Sequence, residues 1–217
     1  MTSPARAPWP LSRILGGAVL LVTLFSVAAV AVGALALAHL DSERQRVETT
    51  IDPAALTAQQ LYNALVNQET GVRGYALSGT PAFLSPYTQG AADEKTAVTQ
   101  LRLLLPQLPP ASTPELNQAL DQAHDWRIRY AQPTIKQVQA RRGPVVSPDI
   151  LAGKAEFDAL RAKLAVFERG ITGARQQALR ALDTASRELD AALLVIAIGL
   201  AVVVAVLAAV LRGTAIR

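Results

Sequence analysis

A chain of 217 residues that is 51% hydrophobic and has no cysteine excludes a disulfide-stapled scaffold and a thiolate metal site. Its net charge of +4 suggests a basic protein, yet all 17 acidic residues lie between Asp41 and Asp190, where an equal number of Lys and Arg balance them. The surplus is Arg6, Arg13, Arg212 and Arg217, all outside that segment, so no basic patch remains for a nucleic-acid backbone.

Residues 1–13 read as a cytoplasmic N-terminus. The stretch from Ile14 to Leu40 lacks Asp, Glu, Lys and Arg altogether. A bilayer core needs about 20 apolar residues as helix, so 14–40 reads as the first transmembrane helix. A cleaved signal peptide is the competing reading, with Ala36-Leu37-Ala38 as its cleavage site. The run is much longer than the roughly 7–15 residues of a signal h-region, which favours an uncleaved span.

Residues 41–190 read as one outer domain of four helices, punctuated by proline and glycine. The first helix carries an apolar stripe at Val47, Ile51, Ala54, Ala58, Leu61, Leu65, Gln68, Val72 and Tyr75, a heptad seam with one polar member. The stripe holds its phase across Pro53, which predicts a kink there and not a helix start. Ser78-Gly79-Thr80-Pro81 breaks the helix. In the second helix Phe83, Tyr87, Val98, Leu101 and Leu105 share one arc, and Pro106, Pro109 and Pro110 end it. Ser112-Thr113-Pro114-Glu115 predicts a capped start for the third. That helix aligns Leu116, Leu120, Ala123, Trp126 and Tyr130, meets a second kink at Pro133, and closes at Gly143-Pro144. The fourth starts at Ser147-Pro148 and repeats Phe157, Leu160, Leu164, Phe167, Ile171 and Ala174. No proline follows Asp149, so a single rod of about 95 Å is expected from there to Leu211 at ~1.5 Å per residue.

Residues 191–211 again lack Asp, Glu, Lys and Arg and read as the second transmembrane helix. Residues 212–217 read as the cytoplasmic lead-in to a linker. Excess Arg at the outer ends of both runs places both termini in the cytoplasm and 41–190 outside the cell membrane. The fold expected is all-α: an extracytoplasmic up-down four-helix bundle between two transmembrane helices. Seventeen Arg against four Lys, with abundant Ala, fits a GC-rich bacterial genome.

Gln68-Glu69-Thr70-Gly71-Val72-Arg73-Gly74-Tyr75-Ala76-Leu77-Ser78-Gly79, followed by Phe83, Leu84, Pro86 and Tyr87, is the most specific string in the chain. It resembles the opening hairpin of type-three CHASE domains, the extracytoplasmic sensors of bacterial histidine kinases, diguanylate cyclases and chemoreceptors. Trp126 and the proline at Pro133 extend the resemblance into the third helix. The resemblance implies a sensor domain that is dimeric in the membrane and passes a small-molecule or protein stimulus to a cytoplasmic output domain. It makes Gly71, Gly74, Tyr75, Gly79, Phe83, Pro86 and Tyr87 structural motif residues and carries no general ligand site. Leu211 to Arg217 looks like the lead-in to a HAMP linker. The expected function is therefore the sensory input module of a transmembrane receptor, the N-terminal part of a two-component sensor histidine kinase. The alternative is a stand-alone accessory membrane protein whose outer bundle binds another protein.

No catalytic constellation is legible. His39 and His124 stand apart, no histidine pair has metal-ligand spacing, and no strand or Gly-Lys-Ser/Thr accompanies the glycines. An enzyme, a metal site and a cofactor are not expected. Candidate ligand- or partner-binding residues are Gln68, Glu69, Arg73, Glu94 and Trp126. Glu69 and Arg73 form an i, i+4 pair that either ties the hairpin to its neighbours or offers Arg73 to an anion. Gln68 and Glu94 fall on facing stripes about one helical turn apart. A buried acid is costly without a partner, so Glu94 is paired, exposed or part of a cavity. Trp126 serves as core or as a ligand platform.

Overall fold

A computed structural model describes residues 11–145 and 149–215. Those residues form α1 (Leu11–Arg46), α2 (Asp52–Ser78), α3 (Ser85–Leu104), α4 (Ser112–Trp126), α5 (Gln132–Arg141) and α6 (Asp149–Ala215), with no strand among them. Arg6, the helix start at Ser147-Pro148 and Arg217 lie outside the described residues.

Six α-helices make only four rods, because two junctions are single π-helical turns and not breaks. Val47–Ile51 joins α1 to α2, and Arg127–Ala131 joins α4 to α5. The Asp52 N–H bonds Val47 O and the Gln132 N–H bonds Arg127 O, each reaching back five residues. Both donors directly precede a proline, Pro53 and Pro133. A proline ring clashes with the carbonyl four residues back and supplies no N–H. Widening the turn before it lets the helix continue. The kinks expected at the two prolines are thus resolved as π turns.

Residues Gln45–Arg180 form one compact unit, an up-down four-helix bundle. α2 and α3 run antiparallel. Near one end of the pair Thr50 Oγ1 donates to Gln107 Oε1 at 2.8 Å, and toward the other Gly74 lies on the Phe83 ring. α4 and α6 are also antiparallel, with Glu115 beside Gly170 and Trp126 against Phe157. All nine stripe residues of the first rod and all six of the last are buried. Each Leu, Ile or Phe among them contributes about 1.5–3 kcal/mol by leaving water.

The stripe of α3 differs from the arc expected. Its buried positions are Gly90, Glu94, Ala97 and Leu101. Tyr87, Val98 and Leu105 only flank the core, and Phe83 sits in a separate 3-10 turn, Pro81–Leu84, 49% exposed. Small residues line α3 because the backbones touch. A Cβ on Gly90 would stand 2.4 Å from Ala64 O, and one on Gly71 would stand 2.6 Å from Tyr87 N. Pro86 falls in the first turn of α3, where its missing N–H has no acceptor to lose.

Helix ends also depart from expectation at two points. Ser112 is the first residue of α4 and no side chain caps that helix. α5 is closed by Arg142 in the left-handed conformation (φ 52°), ahead of Gly143. Gly79 ends α2 as expected, at φ 67°, a conformation that costs glycine no Cβ clash. The two turns lie together: the Val145 N–H donates to Ala76 O at 2.8 Å.

The second compact unit comprises the described residues before Gln45 and after Arg180. Its two helical segments pack through small residues, with the Phe25 ring over Gly199 and Ile196 beside Gly33. Val19, Leu20, Leu21 and Leu24 on one, and Leu193, Leu194, Val195 and Ile198 on the other, are exposed on successive faces. A helix apolar all round is buried in protein or in a bilayer, and both segments are long and apolar enough to cross one.

Candidate functional site

Three helices of the bundle meet at a buried polar cluster. Gln68, on the core stripe of α2, is wholly buried, and its Nε2 donates to Glu94 Oε2 at 2.7 Å. Glu94, buried on α3, also accepts from Arg127 Nη1 at 2.6 Å, and that nitrogen lies 3.4 Å from Gln68 Oε1. The sequence places Gln68 and Glu94 a turn apart; they are in direct contact, and Arg127 completes the group. A carboxylate left alone at this depth would be costly, and removing one partner of a buried pair typically costs about 3–5 kcal/mol.

Arg127 is absent from any periodicity argument because it is polar and lies beside the apolar stripe. The available signal was charge accounting: an acid on a core stripe demands a cation, and Arg127 follows the core residue Trp126. It is the first residue of the π turn, so the same distortion that admits Pro133 lies where the guanidinium leaves the helix. Tyr87 of the hairpin motif borders the cluster. Burial raises its phenol above the ordinary value of 10.0, nearby Arg127 lowers it and Glu94 raises it further.

The other candidates lie elsewhere. Glu69 is buried and bound by Arg73, whose Nε donates at 2.9 Å and whose Nη2 makes a second, shorter contact. This pair closes along α2 itself, with the Arg73 side chain half exposed. Trp126 is fully buried; its ring centroid lies 5.3 Å from that of Phe157, edge-on, and 6.2 Å from that of Tyr130. Its indole nitrogen has no hydrogen-bond partner among the described residues. Among the motif residues, Tyr75 is buried near Val138 and Val145 at the turn end, while Gly71, Gly74, Gly79, Phe83 and Pro86 shape the hairpin and do not enter the polar cluster. Among the described residues no three His, Asp or Glu converge as a metal site.

A helical bundle flanked in sequence by two segments long and apolar enough to cross a membrane has the architecture of a membrane-anchored domain. A family model, the CHASE3 domain, matches residues 44–181, and the chain belongs to that family. The match coincides within one residue at each end with the compact bundle Gln45–Arg180. CHASE3 domains are extracellular sensory domains of signalling receptors, not catalytic ones. No curated protein and no solved structure matches the chain.

Proposed function

We propose that this chain is the sensory input module of a bacterial transmembrane receptor, the N-terminal part of a two-component sensor histidine kinase acting as a homodimer. The observation that carries the reading is a CHASE3 bundle whose last helix, α6, runs unbroken from Asp149 to Ala215. A stimulus felt by the bundle thereby reaches the second apolar segment through one continuous element. Switching needs two packings that the stimulus binds unequally. The cluster of Gln68, Glu94 and Arg127 is the place we assign to that difference, since it ties three helices through directional bonds.

Both termini lie in the cytoplasm in this reading, following the arginines at the outer ends of the apolar runs, and residues 41–190 lie outside. Single cysteines report this cleanly in a chain without cysteine. An impermeant maleimide should label Gln107→Cys in cells with a permeable outer envelope and leave Thr214→Cys unlabelled; the reverse pattern overturns the topology. An in-frame HAMP and kinase downstream of Arg217 is expected in the gene. A stop codon there would replace the receptor reading by that of an accessory protein.

A further inference from the structure

Only one nitrogen of Arg127 is used by the buried cluster. Nη1 serves Glu94 and Gln68, while Nε and Nη2 make no hydrogen bond with any described residue. The side chain is 22% exposed, and it borders a groove of about 760 Å³ between α3 and the α4 rod. The Nε–Nη2 edge of a guanidinium is a planar fork that matches the two oxygens of a carboxylate.

The walls of the groove add further positive charge to that of Arg127. Lys95 and Arg102, one heptad apart on α3, line it and make no ion pair with a described residue. Against these three cations stand Glu94, already paired with Arg127, and Asp121, so the groove keeps a net positive charge. Val98 and Leu120 supply an apolar strip between the charged ends. A site of this size with a few convergent polar groups over apolar lining suits a small organic ligand.

We infer that the groove between α3 and α4 binds a small organic carboxylate, its charge held on the free edge of Arg127 with Lys95 beside it, its apolar body on Val98 and Leu120, and Arg102 at the far end adding to the positive field. This deepens the sensor reading by naming a ligand class. Binding needs no output domain, so it is measured separately from signalling, and its failure would leave the topology and the receptor assignment standing.

The probe is 4-fluorobenzoate, followed by ¹⁹F NMR with the full chain in nanodiscs and with empty nanodiscs as blank. Its neutral twin, 4-fluorobenzamide, reports partition into lipid or onto apolar surface. Saturable binding of the benzoate, at least tenfold tighter than the amide, is expected. The double variant Lys95→Gln/Arg102→Gln should weaken it at least tenfold. Arg127→Lys, which keeps a cation for Glu94 but loses the fork, should weaken it comparably, with circular dichroism checking that each variant keeps its helix content. Absence of saturable binding, equal binding of the amide, or equal affinity in the double variant overturns the inference. Displacement by sulfate at matching concentration would make the groove a bare anion site and overturn the organic-ligand assignment.

Discussion

Trp126 and Arg127 are neighbours in sequence, and they serve two sides of one helical rod that hold the bundle by different physics. On the α6 side, Trp126 fills space between Phe157 and Tyr130, and any well-shaped apolar group would do part of that work. On the α3 side, Arg127 satisfies Glu94 and Gln68 through bonds of fixed direction. Loss of an apolar contact on the first side is graded with volume. On the second side one missing group strands a charge. The difference teaches where a conformational choice can be placed: an apolar side repacks in small steps, whereas the polar side has distinct made and broken states.

The largest effect expected is on the apolar side. Trp126→Ala removes the biggest fully buried side chain of the bundle and should cost about 3–5 kcal/mol, the range for large-to-small aromatic truncations. Trp126→Phe keeps ring packing against Phe157 and removes an indole N–H that has no partner among the described residues, so it should cost clearly less. Urea unfolding of the full chain in detergent measures both; equal losses would mean that the indole itself is required.

The polar side should break differently. Arg127→Met leaves the Glu94 carboxylate buried without its cation, at about 3 kcal/mol, the low end for a broken buried pair, because the guanidinium retains some solvent. Adding Glu94→Gln to that variant should recover most of the loss, since the stranded charge disappears. A double mutant as unstable as the sum of the singles would show that the two residues act independently.

Glycines at the α2–α3 contact give a smaller, sign-dependent effect. Gly71→Ala drives a Cβ against the Tyr87 backbone nitrogen, which cannot swing aside, and should cost about 1–3 kcal/mol as overpacking. Gly74→Ala meets the Phe83 ring, 2.8 Å from its Cδ1. That contact is with a half-exposed side chain and not with backbone, and alanine gains about 1 kcal/mol over glycine in a helix. Gly74→Ala should therefore be neutral or stabilising. Loss at both positions would make the hairpin uniformly tight.

These contrasts also mark what the sequence made legible. The stripes from Val47 to Tyr75 and from Phe157 to Ala174 were readable because burial there is carried by large apolar residues at helical spacing. The α3 arc expected at Phe83, Tyr87, Val98 and Leu105 fails because much of the buried face is built from the small residues Gly90 and Ala97, which hydrophobic periodicity does not mark. The π turns were signalled only indirectly, by prolines inside a stripe that stays in phase. Gln68 and Glu94 were legible as polar residues on core stripes. Arg127 was not, because its partner Glu94 lies on another helix, 33 residues earlier, and only tertiary packing joins them.

The smallest effect sharpens the comparison from within one residue type, by setting Glu168 on α6 against Glu94. Glu94 has two donors, whereas Glu168 Oε1 is buried and has no partner among the described residues. Burial raises the Glu168 carboxyl above its ordinary value of 4.5, so the folded state holds that proton more tightly than the unfolded chain. By linkage, its contribution to stability is fully present below about pH 4.5 and is lost as pH rises through the elevated folded value. At pH 7 the charged form is therefore a net cost, softened by the part of the side chain that water reaches. Glu168→Gln removes that cost, so the variant should be more stable than the parent at pH 7 and indistinguishable from it near pH 4. Glu94→Gln should lose stability at pH 7, because it trades a charge-assisted bond for a neutral one. Urea midpoints at the two pH values decide the matter. A Glu168→Gln chain that is less stable at pH 7 would mean that this carboxylate has a partner of its own, and the contrast between a satisfied and an unsatisfied acid would fall.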